Sequence, residues 1–155
     1  MVLSADRRWM AEALEEALLA PSHGDVPVGA VVVVEGRIVG RGHNEKELRP
    51  DPTAHAEILA MQQASLALGS WRLSDATLYC TMEPCLMCAG AMIQARLGRL
   101  VYAVDDPKAG AAGSLLDLLR APFLNHRVEV VRGVLADEVG EVLRQFFSGL
   151  RAGDQ

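Results

Sequence analysis

The sequence predicts an α/β protein: a three-layer α/β/α domain on a central mixed sheet of about five strands, with residues 1–155 forming one unit. Three observations carry this. Apolar residues recur at helical spacing in several separate segments, short β-branched or wholly apolar runs alternate with them, and two such runs flank a helix at βαβ spacing. No repeat, long linker or composition break divides the chain, and its length is enough to bury a core without disulfides.

The elements follow in order. Residues 4–19 read as a helix, with Met10, Ala13, Leu14, Ala17 and Leu18 on one face and Asp6, Arg7, Glu12, Glu15 and Glu16 on the other. Pro21, Ser22, His23 and Gly24 end it. Residues 28–34 are almost wholly apolar, as expected of a strand covered on both faces. Glu35-Gly36 is a two-residue turn into a second strand over 37–40. Residues 42–53 read as loop, broken by Asn44, Pro50, Asp51 and Pro52. A helix is expected over 54–68 and a short buried strand over 78–81. A second helix should start with Pro84 in its first position and run to about Ala95, followed by a strand over 99–104. Residues 105–126 read as loop or short helix, with Leu115, Leu116, Leu118 and Leu119 forming an apolar face. A strand over 127–131 and a last helix close the chain. Asp137 is the expected N-cap of that helix, and Val139, Val142, Leu143, Phe146, Phe147 and Leu150 form its stripe.

Composition narrows the function classes. Half the residues are hydrophobic and 23% charged, which excludes a disordered chain. No apolar stretch is long enough to span a bilayer, and no secretory signal is expected at the start. Three cysteines, two of them as Cys85-x-x-Cys88, suit a reducing compartment such as the cytoplasm better than a disulfide framework. The net charge is −5, with no acidic tail masking a basic domain, which argues against tight non-specific binding to nucleic acid. Thirteen of the 15 cations are arginine, so a local patch reading one structured RNA stays open.

Two motifs carry chemistry, His55-Ala56-Glu57 and Pro84-Cys85-Leu86-Met87-Cys88, both placed just inside expected helix starts. By composition an H-x-E triplet arises by accident in roughly one chain in five, but P-C-x-x-C in only a few per thousand. Cys85 and Cys88 are one helical turn apart, so both sulfurs share a face, and a helix N-terminus favours thiolate over thiol. Two thiolates and one imidazole make a ligand set that zinc prefers, one ion per subunit, and leave a fourth corner for water. Glu57 would reach that water without ligating the metal and move its proton. Two other readings remain at this point: a thiol–disulfide pair, or a structural site closed by Cys80, His43, His23 or His126. Cys80, in the run Leu78-Tyr79-Cys80, reads as core.

These motifs resemble those of the zinc-dependent cytidine/nucleobase deaminase superfamily, and the match is closer to its bacterial tRNA-specific adenosine deaminase (TadA) family. The resemblance rests on Asp25-Val26-Pro27-Val28-Gly29-Ala30, Asp51-Pro52-Thr53-Ala54-His55-Ala56-Glu57-Ile58, Thr81-Met82-Glu83-Pro84-Cys85 and Cys88-Ala89-Gly90-Ala91-Met92-Ile93. Gly110-Ala111-Ala112-Gly113-Ser114 and Asn125-His126-Arg127-Val128-Glu129 favour the tRNA branch, and the likeness spans about residues 9–147. It implies a cytidine-deaminase-like fold and hydrolysis of the wobble adenosine in a tRNA anticodon to inosine, releasing ammonia. His55, Cys85 and Cys88 would hold zinc and Glu57 would shuttle protons. It further implies that Asn44 hydrogen-bonds the flipped nucleoside and that Asp106 lies near the target nucleotide and its neighbour's ribose. Lys108 and Arg127 would contact phosphates, and Asn125 and His126 would border the anticodon loop. A homodimer with RNA touching both subunits belongs to the same pattern. Leu86, Met87, Ala91, Met92 and Ile93 surround the cysteine helix with apolar surface that a partner subunit or another helix would cover.

The chain departs from the family where many members carry a basic helix end, because residues 148–155 hold Arg151 as their one cation. Glu45, Glu47, Asp105 and Asp106 add negative charge to loops expected near RNA, so tRNA affinity is expected to be weaker and more salt-sensitive than in a basic-tailed relative, or to rely more on shape and base contacts. A deaminase of free guanine, cytosine or a nucleoside, and a non-catalytic zinc protein that binds RNA, are the competing readings.

Overall fold

Alternation along the strands sorts the core into two layers, and the helices follow it. The computed structural model describes residues 1–153; of the cation-poor stretch 148–155 noted above, Asp154 and Gln155 lie outside the described residues. Five strands, β1 (Gly29–Val34), β2 (Arg37–His43), β3 (Thr77–Met82), β4 (Arg99–Val104) and β5 (Glu129–Arg132), form one sheet in the order β2-β1-β3-β4-β5. β1 is antiparallel to β2 and β3, whereas β3–β4 and β4–β5 are parallel, which makes the sheet mixed as expected. One face, with Ala30, Val32, Leu78, Cys80, Leu100 and Tyr102, packs against α2 (Ala56–Leu68) and α3 (Leu86–Gln94). The other, with Val31, Val33, Tyr79, Val101 and Val131, packs against α1 (Asp6–Ala17) and α4 (Ala136–Gly153).

The Glu35-Gly36 turn forms as read, with φ of 51° and 73° that suit a tight hairpin. β2 runs three residues past its expected end because its glycines let a helix lie directly on it. A Cβ at Gly40 would sit 2.2 Å from the Ala60 carbonyl oxygen, and one at Gly42 would sit 2.8 Å from that of Ala56. This contact seats the N-terminus of α2, where His55 and Glu57 stand. Gly40→Ala is expected to destabilise the protein by about 1–3 kcal/mol through overpacking, measured by denaturant unfolding; an unchanged midpoint would contradict it.

Residues 105–126 take the loop alternative, and the apolar helical face expected of their leucines does not form: Leu119 is buried, but Leu115 and Leu116 are exposed. Many amides there bond outside any helical ladder, Ala111 to the Pro84 carbonyl, Leu118 to that of Ala111, and Ala112 and Ser114 to a carboxylate. Two further local readings need correction. Pro84 stands before the cap of α3, which is Cys85, and does not occupy the first helical position. Asp137 lies within the first turn of α4, where it complements the helix dipole alongside Glu138, and is not the cap.

Candidate active site

Two helix N-termini meet at the open end of β3. His55 caps α2 with φ −83° and ψ 150°, and Cys85 caps α3 with φ −76° and ψ 178°. Both are therefore caps in extended conformation, where the sequence placed them inside the helices. An extended cap residue turns its side chain across the end of its helix, beside the free amides. Cys88 follows one turn into α3. The His55 Nδ1 lies 3.7 Å from Cys85 Sγ and 3.5 Å from Cys88 Sγ, and the three ligand atoms fall within 4.8 Å of one another.

The chemistry of these donors fits a metal ion. The Cys85 thiol is held down to about 3, by the hydrogen bond from Cys88 and, against the opposing effect of burial, by His55. The Cys88 thiol is pushed up by its bond to Cys85 and by burial. The two neighbouring thiols therefore oppose each other's ionisation, and a bound dication is what would let both ionise. Among the described residues this is the only cluster of three or more His, Cys, Asp or Glu side chains with ligand atoms so close. The side chains considered for a fourth corner are engaged elsewhere. Cys80 donates to the Met82 carbonyl from within the core, and His126 Nε2 lies 2.7 Å from the Leu97 carbonyl oxygen. His43 sits between Glu16 and Glu45, and His23 bonds Asp25. No cysteine forms a disulfide.

Glu57, in the first turn of α2, is 4% exposed and lines the same cavity as His55 and Cys85. Burial pushes its carboxyl upward, against the pull of its own backbone amide and His55, so it is favoured as a proton carrier. The cavity measures about 580 Å³, within the range of small-ligand sites.

Two lips border it. On one side Asp25 accepts hydrogen bonds from the amides of Glu47 at 2.9 Å and Leu48 at 3.3 Å, and contacts His23 Nδ1 at 2.7 Å. Burial alone would raise the Asp25 pKa, but these bonds more than offset it and hold the carboxylate below its ordinary range. Asn44 stands on this lip, lines the cavity, and accepts from the Ala56 amide at 3.0 Å, which ties it to the start of α2. On the other side, residues 105–109 supply Asp106 and Lys108. Asp106 Oδ1 accepts from the amides of Lys108 at 3.1 Å and Ala109 at 3.2 Å.

His55, Glu57, Cys85, Asn44, Asp106 and Lys108 therefore line one cavity, with Cys88 packed against it. Asn125 and His126 do not join them. They line a separate apolar groove of about 1330 Å³ between α2 and α3, beside Ile58, Met61, Trp71 and Ile93. Arg127 is exposed and lines neither. Sequence reasoning missed Lys46 and Phe147, which also line the active cavity. Lys46 carried a signal, since it and Lys108 are the chain's two lysines. Phe147 read as part of a core stripe, but the stripe of Val139 and Leu143 overshoots the sheet and delivers it to the cavity mouth.

Comparison with known proteins agrees with this geometry. A family model describing MafB19-like deaminases matches residues 4–151. The tRNA-specific adenosine deaminase of Bacillus subtilis (strain 168) is 47% identical over 149 residues, 96% of this chain and 92% of that protein. A structure solved in a study of A-to-I editing by tRNA:A34 deaminases at the wobble position of transfer RNA superposes with a TM-score of 0.84 at 43% identity, covering 88% of this chain and 99% of the other. A guanine deaminase from Nitrosomonas europaea superposes with a TM-score of 0.80 at 26% identity, covering 94% of this chain and 86% of the other.

Proposed function

Since the chain belongs to the MafB19-like deaminases and to the tRNA-specific adenosine deaminase family, we infer that it is an enzyme that hydrolyses the wobble adenosine of a tRNA anticodon loop to inosine and ammonia. The observation that carries this reading is the three-donor cluster at two facing helix starts, with a buried carboxyl group beside it in a nucleoside-sized cavity.

His55, Cys85 and Cys88 would hold one zinc ion, which when bound supplies Lewis-acid activation of a water molecule. Glu57 then does the proton work: it accepts the first proton of the attacking water and passes it to N1 of the adenine ring, then takes the second from the new hydroxyl on C6 and delivers it to the nitrogen as the C6–N bond breaks and ammonia leaves. Its burial keeps bulk water from competing for that proton. The reacting carbon must enter beneath the two lips, so the base has to leave the anticodon stack. Asn44 orients the nucleoside from one lip. Asp106 accepts from a ribose 2′-hydroxyl on the other, a contact that DNA could not make. Lys108 and Lys46 flank the entrance and suit the flanking phosphates, and Phe147 offers an aromatic face to a neighbouring base. Arg127 precedes β5, whose Glu129 pairs with Arg99 at the far end of β4, so it would meet a phosphate only away from the entrance, on the side of His126.

A second copy of the chain would cover the apolar groove between α2 and α3, and this supports a homodimer. Asn125 and His126 then serve the RNA only from that shared face. No described helix is long and apolar enough to cross a membrane. A cytoplasmic location follows from the reading as a tRNA-modifying enzyme with reduced, metal-binding cysteines.

A substrate panel tests the activity. An anticodon stem-loop with adenosine at the wobble position should yield inosine by mass spectrometry, while free adenosine, cytidine, cytosine and guanine stay unchanged. Turnover of a free base beside an inert stem-loop would move the protein to the small-molecule deaminases, with the Nitrosomonas enzyme as the nearer analogue in chemistry.

A further inference from the structure

Glu83 is a buried acid for which the mechanism above has no use. It is 3% exposed, stands two residues before Cys85, and has no cationic partner among the described residues. Its charge is balanced by four donors, all from one segment. The Asp106 amide at 2.9 Å and the Ser114 hydroxyl bond Oε1, and the amides of Ala112 and Ser114, each at 3.0 Å, bond Oε2. The segment these donors belong to begins with the lip that carries Asp106 and Lys108.

The lip closes on Asp106 itself. The Gly110 amide donates to the Asp106 carbonyl at 2.8 Å, while the Asp106 side chain holds the amides of Lys108 and Ala109. Gly110 is needed for the close approach, because a Cβ there would lie 2.3 Å from the Glu83 carboxyl carbon and 2.5 Å from the Asp106 carbonyl oxygen. The carboxylate and the turn are thus fitted to one another without spare room.

We infer that Glu83 is a positioning residue for the RNA: through its carboxylate it fixes residues 105–109 over the cavity and so sets substrate affinity, without touching substrate or the reacting atoms. The inference rests on the deaminase reading. Glu83 holds no part of α2, and its own amide bonds the Val104 carbonyl through the backbone, so substitution leaves Glu57 and the end of β3 in place.

Glu83→Gln is the main test. Its NH₂ group would oppose N–H donors at either oxygen position, so either the Asp106 amide of the lip or the Ala112 and Ser114 amides behind it lose their acceptor. The expected result is a rise of about tenfold or more in KM for the stem-loop, a matching loss in its affinity by fluorescence anisotropy, kcat within about threefold, and unchanged zinc content. Ser114→Ala removes one donor at an exposed position and keeps the test open if Glu83→Gln fails to fold; it should raise KM about threefold with kcat unchanged. Unchanged KM and affinity in a folded variant, or a fall in kcat or zinc content with KM unchanged, would overturn the inference. Failure of the wild-type protein to deaminate the stem-loop would instead sink the functional reading, and the anisotropy comparison would still report on the lip.

Discussion

Glu57→Ala should fold, retain one zinc per chain and lose about 10²- to 10⁴-fold in kcat, the usual contribution of a positioned acid–base group. The reason is placement. Glu57 is buried beside His55 yet lies outside the group of ligand atoms, so its removal leaves the three metal donors untouched. The loss should fall on kcat, since the contacts assigned to this side chain, to N1 and the leaving nitrogen, are those of the proton transfers themselves. Zinc content and single-turnover inosine formation, measured on the same preparation, check the split. Turnover within tenfold of wild type would assign the proton transfers to another group.

Asp6→Ala should cost about 3–5 kcal/mol of stability, the largest structural effect expected of a single substitution here, because it strands a buried guanidinium. Asp6 is fully buried where α1 meets β3 and β4. It accepts from Arg99 through both oxygens at 2.8 Å, from the Tyr79 hydroxyl at 2.7 Å and from the Leu3 amide at 2.7 Å. Burial acts to raise its pKa, but Arg99, Leu3 and Tyr79 more than offset this and hold the carboxyl down to about 2. A carboxyl depressed in the folded state contributes stability that is fully present above its unfolded value of 3.8 and is lost as pH falls toward about 2. The wild type should therefore shed about 2 kcal/mol across that window, and Asp6→Ala should lack this part of the acid sensitivity. Urea unfolding at several pH values measures both. Equal pH slopes in the two proteins would contradict the assignment.

The sheet and both chemical motifs were legible because each follows a short-range rule. β-branched runs mark β1 and β4, and the Glu35-Gly36 turn is local chemistry. Cys85 and Cys88 meet through one turn of helix. His55 joins them because β2, which leads into α2, runs parallel to β3 across the intervening β1, so α2 and α3 begin at the same end of the sheet; the sequence implied a βαβ unit only for β3, α3 and β4. What stayed hidden depends on long-range partners. The leucines of residues 115–119 look helical in isolation, yet amides just before them are claimed by Glu83, about thirty residues earlier. Phe147 continues a regular stripe, and nothing in the spacing reveals where the sheet beneath it ends. The resemblance to the deaminases grouped Asn125 and His126 with the RNA site, but the fold puts them on the α2–α3 groove, away from their own chain's cavity. Asp25 and Glu83 read only as parts of recognisable stretches, and their work in holding the two lips appears once backbone amides from other segments are seen to converge on them.

The most direct test of the site is X-ray absorption at the zinc edge on purified, active protein. The expected spectrum shows one zinc per chain with two sulfur scatterers at about 2.3 Å and two nitrogen or oxygen scatterers at about 2.0–2.1 Å, which is His55, Cys85, Cys88 and one non-protein ligand. A third sulfur scatterer at about 2.3 Å, for which Cys80 is the remaining cysteine, or an active preparation without metal would contradict the open three-ligand site.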